Sequence, residues 1–214
     1  MTGSPPDFDT AFRDRLRDLM VWRRDVRHFR PDPVDPALIG HLLELAALAP
    51  SVGNSQPWRF VLVEDPARRA RVIANFEREN AEALRDYRGE QARLYASLKL
   101  AGLREAPVHL AVFCDEATGQ GHGLGRRTMP EMLDYSSVMA VYGFWLAARA
   151  HGVGAGWVSI LDPIAVCRDL DVPAEWRLIA YLCVGYPAEQ TDEPELERRG
   201  WEHRRPAGEF VLRR

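Results

Sequence analysis

The sequence predicts an α+β protein in which helices are layered on one sheet of about four strands. Three observations predict it. Helical and strand-like hydrophobic periods alternate irregularly along the chain. Four short segments, 58–63, 108–114, 157–161 and 176–184, are apolar or rich in aromatic and β-branched residues and are of strand length. One long segment, 130–151, is apolar around most of its helical circumference, so it must be buried centrally or in a subunit interface.

The bulk numbers agree with a single domain over residues 1–214. The chain is 46 % hydrophobic and 28 % charged, enough for one sizeable core, within one chain or shared in a dimer. A net charge of −3 points to neither nucleic acid nor an anionic membrane. Cys114, Cys167 and Cys183 stand singly in apolar segments, without pairing or metal-type spacing, which predicts a reducing, cytoplasmic setting. No apolar run has the length of a membrane span, and the start carries Pro and Asp instead of a signal-like segment. The six histidines never fall at ligand spacing with each other or with cysteine, so no metal is expected.

Taken in order, residues 9–22 alternate Phe12, Leu16, Leu19 and Met20 with charges at helical spacing. That helix delivers Arg23, Arg24, Asp25, Val26 and Arg27. Three guanidiniums within five residues are dense enough to receive a phosphate, although a solvated basic helix end has the same composition. Asp35-Pro36 suits the start of a second helix, and Pro50 should stop it. Ser51, Asn54, Ser55 and Gln56 then offer hydroxyls and amides that both donate and accept. They match a planar heterocycle whose edge alternates carbonyls and ring nitrogens, or they simply satisfy turn backbone.

Asp65-Pro66 opens a charged, helix-favouring stretch to about residue 104. Its second half, about 87–103, carries Tyr95 and Leu100 and could close over a site as a lid. Residues 119–125 place a glycine at every second position, without the G-x-G-x-x-G spacing of a dinucleotide site, and read as a flexible surface loop. After the apolar helix, Gly152, Gly154 and Gly156 allow the backbone to approach something closely, ahead of Trp157, Val158 and Ser159. Asp162-Pro163 opens a further helix. Residues 188–214 are polar and read as an extended C-terminal arm, with Arg204 and Arg205 either solvated or reaching a phosphate. There is no G-x-S-x-G elbow and no P-loop. An arginine receptor, an amide-rich edge reader and a glycine-flanked strand together fit a phosphorylated planar cofactor.

Arg23-Arg24-x-x-Arg27-x-Phe29, Ala49-Pro50-Ser51-x-x-Asn54-Ser55-Gln56-Pro57-Trp58 and Gly154-x-Gly156-Trp157, in that order, resemble the nitroreductase superfamily of FMN-dependent enzymes. The resemblance implies a central, mostly antiparallel sheet flanked by helices, and an intertwined homodimer with FMN at two interfacial sites. Asp25 stands where those enzymes typically carry serine or threonine. With the segment 157–163, it resembles instead the 5,6-dimethylbenzimidazole synthases, which make the lower ligand of vitamin B12. That resemblance implies that reduced FMN is a substrate, consumed with O2 to give 5,6-dimethylbenzimidazole and D-erythrose 4-phosphate, the ribityl C1′ becoming C2 of the product. A separate NAD(P)H flavin reductase would supply the reduced FMN.

By the same resemblance Arg23, Arg24, Asp25, Val26, Arg27, Ser51, Asn54, Gln56, Val158 and Ser159 are expected to bind FMN. Asp25 and Ser159 are the expected catalytic residues, and Tyr95 and Leu100 belong to the lid. Asp25 could otherwise pair with a neighbouring arginine, and Ser159 could be a strand hydroxyl bonded to backbone. The rival readings are an NAD(P)H-dependent FMN nitro- or quinone reductase and a non-catalytic flavin-binding protein.

Overall fold

A computed structural model describes residues 4–97 and 101–214. Four strands, β1 (Trp58–Leu62), β2 (Val108–Asp115), β3 (Gly154–Val158) and β4 (Trp176–Gly185), form one sheet in the order β1-β2-β4-β3, every pair antiparallel. Central β2 is buried on both faces, which is why its sequence is nearly continuous in apolar residues. Leu110 and Val112 face one layer, Ala111 and Phe113 the other.

The first layer is α2 (Pro36–Ala46) and α6 (Met132–Ala150), which bury Ile39, Leu42, Val141 and Phe144 against Leu110, Val112, Ala180 and Leu182. On the opposite face α3 (Pro66–Leu84) and α7 (Pro163–Leu170) contribute Val72, Val166 and Leu170. The helices α2, α3 and α7 all begin with Asp-Pro. In each the aspartate accepts from a backbone N–H two residues on, at 2.8–2.9 Å, and proline fills a position whose own N–H would go unused. Amphipathic α1 (Thr10–Trp22) buries no residue, leaving Phe12, Leu16 and Met20 exposed. Short helices α4 (Gly89–Ser97), α5 (Gly102–Glu105) and α8 (Glu195–Arg198) complete the chain.

Three expectations change in detail. β3 begins at Gly154 and stops at Val158, so Ser159 lies past the strand. The ladder ends there because the chain turns towards Asp162, whose N–H and C=O are both bonded by the buried Asn75 amide at 3.0 Å. The 119–125 loop is not free: it packs on residues 52–55. Residues 187–199 fold back along the cleft, while residues 202–214 are exposed.

Beneath the sheet, His109 Nδ1 lies 2.8 Å from the Tyr181 hydroxyl, both side chains fully enclosed. Burial, and then Arg69, lower the His109 pKa to about 4. A folded-state value below the unfolded one means that the unfolded chain binds the extra proton first. Stability should therefore fall as pH drops from about 6.5 towards about 4, by roughly 3 kcal/mol. Denaturant midpoints against pH should show a steeper acid limb in the wild type than in His109→Gln, and parallel limbs would contradict this.

Candidate active site

The arginine segment is set by a backbone seam. At Arg23 α1 ends, and the chain runs extended along the outer edge of β3, where Val26 N–H donates to Ala155 O at 3.1 Å. Asp25 Oδ1 accepts from Trp157 N–H at 2.8 Å. Gly154 and Gly156 make the approach possible. A Cβ on Gly156 would overlap the Val26 carbonyl, and one on Gly154 would lie 2.7 Å from Val26 Cγ2. The arginine run and the Gly-x-Gly-Trp motif, some 130 residues apart in sequence, are thus two sides of one contact.

Trp145 of α6 fixes the segment from the other side. Its Nε1 donates to Arg24 O at 3.2 Å, and the Arg23 guanidinium stacks over its ring at 4.7 Å. The cleft alongside has a volume of about 730 Å³. Arg23, Arg24, Asp25, Val26 and Arg27 line it, with Arg149 from α6 and Glu195, Arg198 and Arg199 from the returning C-terminal segment.

The arginines are not equivalent. Arg27, 11 % exposed, sits between Asp25 Oδ2 at 3.5 Å and Glu195 Oε2 at 3.7 Å. Its charge is already matched. Arg23 Nε and Arg24 Nε are buried donors without a partner, the kind of orphan that an incoming oxyanion satisfies. Burial, then Arg23 and Arg204, push the Arg24 pKa below the usual guanidinium range, so an anion there relieves repulsion as well as pairing charge.

Asp25 shifts the other way. Burial raises its carboxyl above the usual range, opposed by the Trp157 N–H bond, Arg27 and Arg23. The side chain keeps 38 % of its surface exposed, which leaves it reachable as well as perturbed. Asp25 is therefore both paired with an arginine and tied to the sheet backbone.

Ser51, Asn54 and Gln56 lie elsewhere. Val52 N–H donates to Ser136 Oγ at 3.0 Å, close to the start of α6, whereas Trp145 holds Arg24 nine residues further along that helix, about 14 Å away. The loop leads into β1, at the sheet edge opposite β3. Gln56 N–H donates to Ser51 Oγ at 3.0 Å and Gln56 Nε2 to Asn54 Oδ1 at 3.1 Å. The Ser51 O–H and the Asn54 NH2 keep donor capacity, and Gln56 Oε1 remains an acceptor.

The remaining expected residues divide. Val158 is 2 % exposed and packs in the core, so only its backbone could meet a ligand. The Ser159 residue is exposed. Tyr95 donates to Asn80 Oδ1 at 2.9 Å and stacks on Tyr87 near Trp201, outside the cleft lining. Leu100 lies outside the described residues. Arg204 lines a smaller hollow beside Arg24, and Arg205 pairs with Glu209 at 2.7 Å. Sequence reasoning missed Trp145, Arg149, Glu195, Arg198 and Arg199. The only signal for the last three was the mixed charge of the tail.

The Nitroreductase family model matches residues 20–186, and the chain belongs to that family. A protein of Rhodospirillum rubrum named 5,6-dimethylbenzimidazole synthase is 62 % identical over 201 residues, covering 94 % of this chain and 95 % of that one. A protein of Rhodobacter capsulatus with the same name is 50 % identical over 200 residues, covering 94 % and 97 %. Among solved structures, iodotyrosine deiodinase bound to FMN and 3-iodo-L-tyrosine superposes with a TM-score of 0.70 at 28 % identity, covering 82 % of this chain and 91 % of that one.

The seam can be tested by volume alone. Gly156→Ala must push the arginine segment off β3 and should cost on the order of 1–3 kcal/mol in urea denaturation. Gly40→Ala, in an open position of α2, should instead stabilise by about 0.5–1 kcal/mol. Equal effects of the two would contradict the seam.

Proposed function

We propose that this chain is a 5,6-dimethylbenzimidazole synthase, converting reduced FMN and O2 to 5,6-dimethylbenzimidazole and D-erythrose 4-phosphate. The observation that carries the reading is end-to-end likeness to proteins of that name, at about twice the identity to the deiodinase. The residues fit the substrate on structural grounds of their own. Two buried, unpartnered arginine nitrogens suit a phosphate dianion, and the amide loop suits the flavin edge. When bound, reduced flavin supplies the electrons for oxygen chemistry and the carbon atoms of the product.

In this reading Arg23 and Arg24 hold the phosphate, while Arg27, braced by Asp25 and Glu195, forms the wall below it. Asp25, with a raised carboxyl pKa and one oxygen anchored on Trp157 N–H, takes a proton near the ribityl chain through its remaining lone pairs. The Ser159 hydroxyl, on the segment clamped by Asn75, orients a proton transfer at the ring. Reduced FMN comes from a separate NAD(P)H flavin reductase.

A homodimer completes the site. One chain exposes 13383 Å², whereas a compact monomer of 24.3 kDa should expose about 10,000 Å². Tyr135, Val138, Met139 and Tyr142 form an exposed stripe on α6 at helical spacing, which a second copy would cover. The arginines of one chain then face the amide loop of the other, which accounts for their separation within a chain.

The test is to reduce FMN with a separate flavin reductase and NADH, add the protein in air and analyse products by mass spectrometry. 5,6-Dimethylbenzimidazole should appear as FMN disappears. Surviving FMN with protein-dependent NAD(P)H oxidation would make the chain a reductase. Asp25→Asn retains an acceptor for Trp157 and should bind FMN nearly as well, while product formation falls by about 10²-fold or more. Ser159→Gly should likewise lower turnover more than affinity. Unchanged turnover in either variant would remove its catalytic role.

A further inference from the structure

We infer that the glycine loop at residues 119–125 is a clamp that holds the amide loop in its flavin-reading shape, with Gln120 and Gly121 as positioning residues for Asn54. The inference rests on the assignment of Asn54 to flavin recognition.

Two left-handed turns are stacked backbone on backbone. In the amide loop Gly53, Asn54 and Gln56 have φ of 56°, 55° and 44°; in the glycine loop Gly121, His122, Gly123 and Gly125 have φ of 80°, 51°, 74° and 77°. Left-handed backbone at Asn54 and Gln56 costs free energy that a free loop would shed by relaxing. The facing loop prevents this. A Cβ on Gly121 would come within 2.6 Å of Gly53 O and 3.2 Å of Ser55 Cβ, and one on Gly125 within 2.8 Å of Val52 Cγ2. Conversely, a Cβ on Gly53 would meet Gly121 O and Leu124 Cβ at 3.1 Å.

Only glycine on both sides permits that approach. Ser55 is pressed underneath, 1 % exposed. One polar bond then latches the pair: Gln120 Nε2 donates to Asn54 O at 2.9 Å. That carbonyl belongs to the residue whose side chain accepts from Gln56 Nε2, so the latch fixes the peptide from which the reading amide projects. Gln120 is exposed, so truncating its side chain removes little buried volume. Two of the four alternating glycines, Gly121 and Gly125, thus find their reason in contact with another loop.

Gln120→Ala, Gly121→Ala and Gly119→Ala decide the matter in the full-length protein, with FMN titration and hydrogen exchange of residues 51–56 as readouts. Gly119 has open space around it and a right-handed backbone, and serves as the control. Gln120→Ala should weaken FMN binding about threefold to tenfold, and Gly121→Ala more, with an altered bound-flavin absorption spectrum. Both should speed exchange across 51–56 without FMN, while Gly119→Ala changes neither readout. In an Asn54→Ala background the effect of Gln120→Ala on FMN affinity should shrink, because part of it is carried by the Asn54 side chain. Unchanged exchange in both Gln120→Ala and Gly121→Ala overturns the clamp. Faster exchange with FMN affinity unmoved by Asn54→Ala leaves the clamp standing and removes the flavin assignment of Asn54.

Discussion

The geometry of the cleft depends on one short contact, the seam between Asp25-Val26 and Ala155-Trp157. It places the arginine run at a fixed height against the outer edge of β3, covers an edge that would otherwise present unpaired backbone groups, and spends one carboxylate oxygen of Asp25 on the Trp157 N–H. Loss of the glycines would open it by steric overlap, and loss of Asp25 would leave a backbone donor unmet. The sheet, the α1 exit and the arginine run are therefore parts of a single mechanical unit, with Trp145 as the strut on the α6 side.

Charge is organised around that unit in two tiers. Arg27 is balanced by Asp25 and by Glu195 from the returning C-terminal segment, and so serves as a wall. Arg23 and Arg24 keep unmet donors and repel each other, and so remain receptive to an anion. Asp25 stands inside this arginine run. Its charge faces Arg27, and burial nevertheless raises its carboxyl pKa above the usual range.

Most of the scaffold was legible because it follows local rules. Asp-Pro caps marked the starts of α2, α3 and α7, period-3.6 patterns marked α1 and α6, and apolar runs marked β2 and β4. Membership of the nitroreductase family was legible from three ordered motifs. The joining of Arg23–Arg27 to Gly154–Trp157 was not, since no periodicity reports a contact across some 130 residues. Nor was the docking of the glycine loop: alternating glycines look alike whether they are mobile or packed. The end of β3 before Ser159 was set by Asn75, a buried amide on a distant helix, and the folding back of the tail by Glu195 against Arg27. These are tertiary choices that residue type alone does not reveal.

The central claim is that flavin carbon leaves this site as product. It is tested most directly by presenting reduced FMN labelled with 13C at the ribityl C1′ to the protein in air. The account predicts that the label is recovered at C2 of 5,6-dimethylbenzimidazole and is absent from the four-carbon sugar phosphate. Label that stays in intact FMN after many equivalents of reductant have been consumed would contradict it.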